Sequence, residues 1–306
     1  GGGGVGGGGG GGGVGGVGGG DGGRGRGNFV LLRRSCREPQ RIHLLAGFRF
    51  AEHSEEKIPS KGALKTMTTI HGGDIYRNHV NLDFSVNINP LGIPQSVKDA
   101  MHQAVDTCEQ YPDIDNAQLR HAVSHMQNVS EEFLLFGNGA SELFMAVVHA
   151  LKPKKTVIPI PSFYGYEYAA GSRDGEIVYW ETGRENGFRV TEEIYGALTE
   201  EVDLLFLANP NNPTGGLMDR GTVGKLLEHC GDRGICVVLD ECFMEFCDGG
   251  SSVVLDVGRF HNLVLVKAFT KIFSVPGVRL GYLLCGDGEL RGRIKRQLPE
   301  WNVSCF

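Results

Sequence analysis

The sequence predicts an α/β fold of three layers, in which a mainly parallel sheet of seven strands carries helices on both faces. Three observations predict it. Beyond residue 130, short apolar runs alternate with helical stretches, the pattern of repeated strand–helix units. Runs such as ICVVL are apolar throughout, as strands covered on both faces are. Side chains that carry chemistry fall just after the runs, where open sheets of this kind bind ligands.

Taken in order, the chain of 306 residues is 41% hydrophobic and 22% charged, enough for one large domain or a large and a small one. Residues 1–66 hold ten Lys/Arg against five Asp/Glu, a balance of +5 within a chain of net charge −6. That asymmetry marks a boundary near Met67. Residues 1–27 are nearly all glycine, which loses much backbone entropy on ordering and has little to bury. Residues 1–66 are therefore expected to be a disordered basic extension outside the fold. The GGRGRGN stretch holds two arginines and no interleaved aromatic ring, so nucleic-acid binding is not expected. No apolar run reaches 18 residues, and no transmembrane helix is indicated. Eight cysteines form no CxxC pair. Zinc spacing is thus absent and no metal site is expected; buried free thiols in a reducing cytoplasm are.

From Met67 the segments HGGDIY and NLDFSVNINPLGIP lead into a helical pattern with Val97, Met101, Ala104 and Cys108 on one face. A turn at Tyr111-Pro112 opens a second helix. The seven apolar runs are FLLF, TVIPI, EIVYW, DLLFLAN, ICVVLDE, LVLVKAF and LGYLLC. Residues 67–110 are expected to form an N-terminal arm and helix, 111–286 the large domain, and 287–306 the start of a smaller C-terminal domain.

The residues just past the runs are the informative ones. FLLF leads into GNGASE, where Gly139, Ala140 and Ser141 open a helix whose free amides suit a phosphate. TVIPI leads to Phe163, able to stack on a planar ring. DLLFLA leads to NPNNPTGG, a constrained turn in which Asn212 offers an amide donor. ICVVL ends on Asp240, a carboxylate that needs a partner. LVLVKAF leads to Thr270 and Lys271, a lysine that desolvation would make nucleophilic, and Arg279 comes next as an anion anchor. Each has an ordinary reading alone: Phe163 as core packing, Asp240 as a turn cap, Lys271 as a solvated strand end. Together they describe a site for a phosphorylated, aldehyde-bearing pyridine, pyridoxal 5'-phosphate.

In NPNNPTG, DECFMEF and FTKIFSVPGVRLGY the chain resembles the fold-type I pyridoxal-phosphate enzymes of the class I/II aminotransferase group. Within that group HGGDIY, LDFSVNINPLG and EQYPD resemble the threonine-phosphate decarboxylases of cobalamin biosynthesis, with the histidinol-phosphate aminotransferases next. The resemblance covers roughly residues 70–304. It implies that Lys271 bonds the cofactor aldehyde as a Schiff base and that Asp240 holds the pyridinium proton. It further implies that Asn212 meets the phenolic oxygen, Phe163 stacks on the ring, and Gly139, Ala140, Ser141, Thr270 and Arg279 hold the phosphate. Tyr111 would reach the cofactor of a partner subunit in a homodimer, and His71, Gly72, Asn87 and Asn212 would contact the amino-acid or amino-phosphate substrate. The implied reaction is decarboxylation of L-threonine O-phosphate to an aminopropanol phosphate. The alternatives are transamination of histidinol phosphate or a related amino phosphate, and an inactive fragment. Three departures stand out: Phe243 where aminotransferases of the group often have Tyr, Lys267 where an arginine is common, and a chain that stops at Phe306, before the family's substrate-gripping C-terminal arginine.

Overall fold

The computed structural model describes residues 72–76, 81–247 and 250–306. The Gly-rich extension, Met67 and His71 lie outside the described residues. Seven strands form one sheet: β1 (Leu134–Gly137), β2 (Lys155–Ile160), β3 (Glu176–Glu181), β4 (Leu204–Ala208), β5 (Cys236–Asp240), β6 (Leu263–Ala268) and β7 (Gly281–Cys285). Their order across the sheet is β1-β7-β6-β5-β4-β2-β3. β2 runs parallel to β3 and β4, β4 to β5, and β5 to β6, while β7 is antiparallel to both neighbours. The mainly parallel seven-stranded sheet expected from the sequence is the one observed.

Successive residues of the central strands point to opposite faces and feed two separate cores. Leu205, Leu207, Val237, Leu239, Leu263 and Leu265 pack into one. Leu204, Phe206, Val238, Val264 and Val266 pack into the other. Burial on both faces is why β4, β5 and β6 read as unbroken apolar runs. The helices are α1 (Gln95–Val105), α2 (Ala117–Gln127), α3 (Ala140–Leu151), α4 (Tyr164–Ala170), α5 (Arg220–Gly231), the single turn α6 (Phe269–Ile272) and α7 (Gly288–Lys295). α2 and α5 supply Val123, Val223, Leu226 and Leu227 to the first core. α3, α4 and α7 cover the opposite face with Leu143, Phe144, Tyr166, Leu290 and Ile294. Asp219 and Asp287 cap α5 and α7, accepting the N–H groups of Thr222 and Leu290 at 3.0 and 2.9 Å. Among the described residues no helix is long and apolar enough to cross a membrane.

The face of α1 holding Val97, Met101 and Ala104 is half-buried, and no residue of this helix is fully buried. One sequence expectation needs correction. Of the described cysteines, 230, 236, 242 and 285 are buried as expected, but Cys108 is exposed and Cys247 and Cys305 are half-buried.

The register collects one edge of the sheet. Ala208 lies beside Asp240, Asp240 beside Val266, and Gly281 beside both Ala268 and Gly137. Just past this edge the chain buries a charge cluster. Lys267, 2% exposed, lies between Glu241 at 3.2 Å and Glu245 at 2.8 Å. Glu241 is itself buried and also accepts the Ser252 hydroxyl at 2.6 Å and the Val253 N–H at 3.0 Å. Burial alone would depress the Lys267 ammonium, but the two carboxylates outweigh it and hold its pKa above the ordinary lysine value. The place of Lys267 in the sequence is thereby explained: it ties the exit of β5 to β6.

Removing one partner of such a cluster leaves buried charge uncompensated. Lys267→Ala is expected to lower the unfolding free energy by about 3–5 kcal/mol, measured by urea titration at neutral pH. Because the folded-state pKa is raised, the stabilisation is complete below the ordinary lysine value of about 10.4 and is lost as pH rises through the higher folded value. A Lys267→Ala protein as stable as the parent at pH 7 would rule out this role.

Candidate active site

The carboxyl ends of the strands bring most of the sequence-selected side chains together. Asp240 is the last residue of β5 and is buried. Its Oδ2 accepts the Tyr166 hydroxyl at 2.6 Å, and its Oδ1 accepts the Cys242 N–H at 2.8 Å. Tyr166, on α4, is stacked on Phe206, with ring centroids 5.2 Å apart and planes 11° apart. A buried phenol needs a partner for its tip, and Asp240 is that partner. Burial, reinforced by the Asp240 carboxylate, pushes the Tyr166 pKa well up, so the phenol stays a neutral donor. Phe163, the residue before α4, meets Tyr166 edge-on with centroids 5.6 Å apart. Its ring also folds across Gly165, where a β-carbon would collide with it.

Lys271 sits in α6, directly after β6, beside buried Thr270. Burial lowers its pKa, and the nearby Arg279 guanidinium adds to that effect against the pull of Asp240. Its Nζ lies 5.8 Å from the centre of the Phe243 ring, which offers a π face but no hydroxyl.

Gly139 opens α3 with φ of +81°, and no side chain caps that helix. A β-carbon at Gly139 would lie 2.5 Å from Arg279 Nη2, so the guanidinium rests directly against the glycine backbone. Arg279 itself has φ of +60° and donates through Nη1 to the Pro276 carbonyl at 3.1 Å. Gly281 has the complementary role: a β-carbon there would lie 2.9 Å from Ala140 N. Its absence lets the start of α3 approach the sheet. The result places the Arg279 guanidinium beside the first amides of α3, with exposed Ser141 next to them.

The N-terminal arm crosses the same edge. Gly72 packs so closely on the Ser85 backbone that a β-carbon would collide with it, and the Gly73 N–H donates to Ser85 Oγ at 2.8 Å. Asn87 Nδ2 donates to Asn212 Oδ1 at 3.2 Å. The Asn89 N–H donates to the Lys271 carbonyl at 3.1 Å, and its Nδ2 to the Ile272 carbonyl at 2.8 Å. Two of the selected positions stand apart. His71 lies outside the described residues. Tyr111 is 84% exposed and packs on Trp301 with centroids 5.2 Å apart, away from this cluster.

Sequence reading missed Tyr166, Asn89 and Gly281. Tyr166 lies in a run of three tyrosines, FYGYEY, with nothing to single it out. Asn89 has the usual Asn-Pro turn reading. Gly281 opens an apolar strand, and a lone glycine there signals only a close backbone approach.

Known proteins share this fold. The sequence matches the aminotransferase class I and II family over residues 80–305. It is 36% identical over 225 residues to threonine-phosphate decarboxylase of Salmonella typhimurium, covering 74% of this chain and 62% of that protein. It is 32% identical to the adenosylcobalamin biosynthesis bifunctional protein of Leptospira interrogans, covering 73% of this chain and 26% of that one. Among solved structures, histidinol-phosphate aminotransferase of Clostridium acetobutylicum superposes with a TM-score of 0.67 at 30% identity, covering 72% of this chain and 65% of that one. The chain thus spans less than two thirds of the length of these relatives. Since the family match contains the whole sheet and every strand end described above, the chain belongs to the class I and II aminotransferases.

Proposed function

We propose that the chain is the catalytic part of a pyridoxal-phosphate enzyme that decarboxylates L-threonine O-phosphate to an aminopropanol phosphate for cobalamin biosynthesis. The observation that carries the cofactor reading is the pairing of a depressed Lys271 amine with buried Asp240, beside the Gly139–Arg279 cradle. The donor set fits the cofactor group by group. Gly139, Ala140, Ser141, Thr270 and Arg279 would hold the phosphate; a β-carbon at Gly139 would push the Arg279 guanidinium off the start of α3. Asp240, oriented by Tyr166, would hold the proton on the ring nitrogen. Phe163 would cover the ring, Asn212 would bond its phenolic oxygen, and the Lys271 amine would hold the aldehyde carbon.

Bound pyridoxal phosphate supplies an electron sink for the bond that breaks at the substrate's α-carbon. The chain's own residues decide which bond that is and where protons go. Lys271 Nζ, with its lowered pKa, exchanges a proton at neutral pH more readily than an ordinary lysine. In decarboxylation it delivers a proton to Cα; in transamination it removes one. His71, Gly72, Asn87 and Asn212 orient the amino phosphate. The decarboxylase reading is supported by the arm, in which the Gly73 N–H bonds Ser85 Oγ, Asn87 bonds Asn212 and the Asn89 N–H bonds the Lys271 carbonyl of α6, and by the names of the two sequence relatives. Transamination of histidinol phosphate is the second reading, favoured by the superposition on an enzyme with that activity.

Tyr111, exposed beside the half-covered α1, is assigned to the cofactor phosphate of a partner subunit in a homodimer. A cytoplasmic location belongs to the same reading, as do domain limits at 110/111 and 286/287.

Three measurements test these assignments. Titrating the protein with pyridoxal phosphate is expected to give a visible absorption band that borohydride fixes on the peptide containing Lys271. Lys271→Ala should abolish both, and the pH midpoint for the band's appearance should lie below that of an ordinary lysine, because the neutral amine prevails at lower pH. Failure of the parent to bind the cofactor sinks both enzyme readings. Tyr166→Phe leaves the buried Asp240 carboxylate short of one hydrogen bond, so the unfolding free energy should fall by about 1.5–3 kcal/mol and cofactor affinity by roughly ten-fold or more. Last, CO₂ release from L-threonine O-phosphate is expected without added keto acid; keto-acid-dependent turnover of histidinol phosphate in its place selects the second reading.

A further inference from the structure

Two cysteines separated by 197 positions meet at the surface: Cys108 Sγ and Cys305 Sγ are 3.5 Å apart. We propose that they form an oxidation-sensitive dithiol that a low-molecular-weight disulfide such as glutathione disulfide converts into an intramolecular bridge, stapling the turn after α1 to the segment after α7.

The geometry sets this pair apart from the other described thiols. Cys230, Cys236, Cys242 and Cys285 are buried, closed to a solvent-borne oxidant. Burial pushes the thiols of Cys230 and Cys285 up to about 12 and about 11, far from the thiolate that attacks a disulfide. Cys108 is exposed and Cys305 half-buried, so both are within reach. A disulfide needs an S–S distance of about 2.05 Å, so the sulfurs must close by about 1.5 Å, within the range of side-chain rotation. Neither residue lies in a helix or strand that would have to bend. The neighbouring contact of Tyr111 with Trp301 holds the same two segments side by side without help from the sulfurs. The hydrogen bond shared by the two sulfurs raises the Cys108 pKa, which slows its attack on a disulfide; exposure and the 3.5 Å approach, not acidity, set the pair apart.

The exchange balances. One cysteine thiolate attacks the small disulfide, forming a mixed disulfide and expelling one small thiolate. The second cysteine thiolate attacks the protein sulfur of that mixed disulfide, forms the intramolecular bond and expels the second small thiolate. Both cysteine protons end on the two released thiols; the protein loses two electrons and the small disulfide gains them.

The test uses the full chain, reduced, desalted and then incubated with glutathione disulfide at neutral pH. Expected are the loss of two of the eight thiols, a peptide joining Cys108 to Cys305 on non-reducing mass mapping, full reversal by dithiothreitol, and a Tm higher by a few degrees in the bridged form. Cys108→Ser and Cys305→Ser should each abolish the bridge and leave the remaining cysteine carrying glutathione. The proposal is overturned if the parent accumulates the mixed disulfide at either position without bridging. Bridging of Cys108 to any other cysteine, or between chains, overturns it equally.

Discussion

The ion cluster of Lys267 with Glu241 and Glu245 is the constraint on which the rest of the site depends. Asp240 precedes Glu241 in the chain, and Lys271 lies four residues beyond Lys267. Any slippage between the exits of β5 and β6 would therefore separate the carboxylate from the amine. Backbone pairing alone fixes the register up to Asp240 and Val266, and the Glu241 N–H continues it to the Val266 carbonyl at 2.8 Å. The buried ammonium carries the tie beyond the last strand residue, where no ladder is left to do so. A cluster of this kind is weak evidence for net stability, since desolvation offsets most of the Coulomb attraction. Its stronger effect is on geometry, because the buried Glu241 carboxylate, already fixed by Ser252 and Val253, holds the ammonium in place beside it.

A second constraint operates at the opposite side of the edge, and it is steric. Two glycines, Gly139 and Gly281, let three pieces of chain converge: the start of α3, the start of β7 and the guanidinium of Arg279. With any larger residue at either position the helix would stand off the sheet and the arginine off the helix. The anion-attracting patch is thus made mostly of backbone, which costs no side-chain ordering when a ligand arrives. Tyr166 fixes the far end of the site by a hydrogen bond to the acid it orients, and the arm fixes the near end through Asn89.

The fold was legible because it is written in local pattern. FLLF, DLLFLAN, ICVVLDE and LVLVKAF each announce a strand by composition, and chain direction in a parallel sheet places the residues after them at one edge. Asp240, Lys271 and Gly139 were visible for that reason. The features that stayed hidden depend on contacts across the fold. Tyr166 and Asp240 are 74 positions apart, Asn87 and Asn212 are 125 apart, and Cys108 and Cys305 are 197 apart. No periodicity encodes such pairs. Lys267 was opaque in a different way: an ammonium inside an apolar run makes sense only once two carboxylates from another segment are seen beside it. The cysteines misled for the converse reason. A thiol in an apolar run was rightly placed inside, but Cys108 lies in the exposed turn after α1.

These constraints also divide the site by what can change without dismantling it. On the proposed reading the cofactor end rests on strand exits, glycines and the buried Lys267–Glu241 pair, all of which are part of the core and would collapse with it. The substrate end, on the same reading, rests on exposed Asn87, half-buried Asn212 and an arm held to the rest of the fold by one hydrogen bond at Asn87 and two at Asn89. Each such bond contributes about 0.5–1.5 kcal/mol net, so the arm can be rearranged at little expense to the fold. That asymmetry is what a scaffold needs if one cofactor geometry is to serve different amino phosphates. On the proposed reading, the difference between decarboxylation and transamination then belongs to residues 72–91, not to the strand ends.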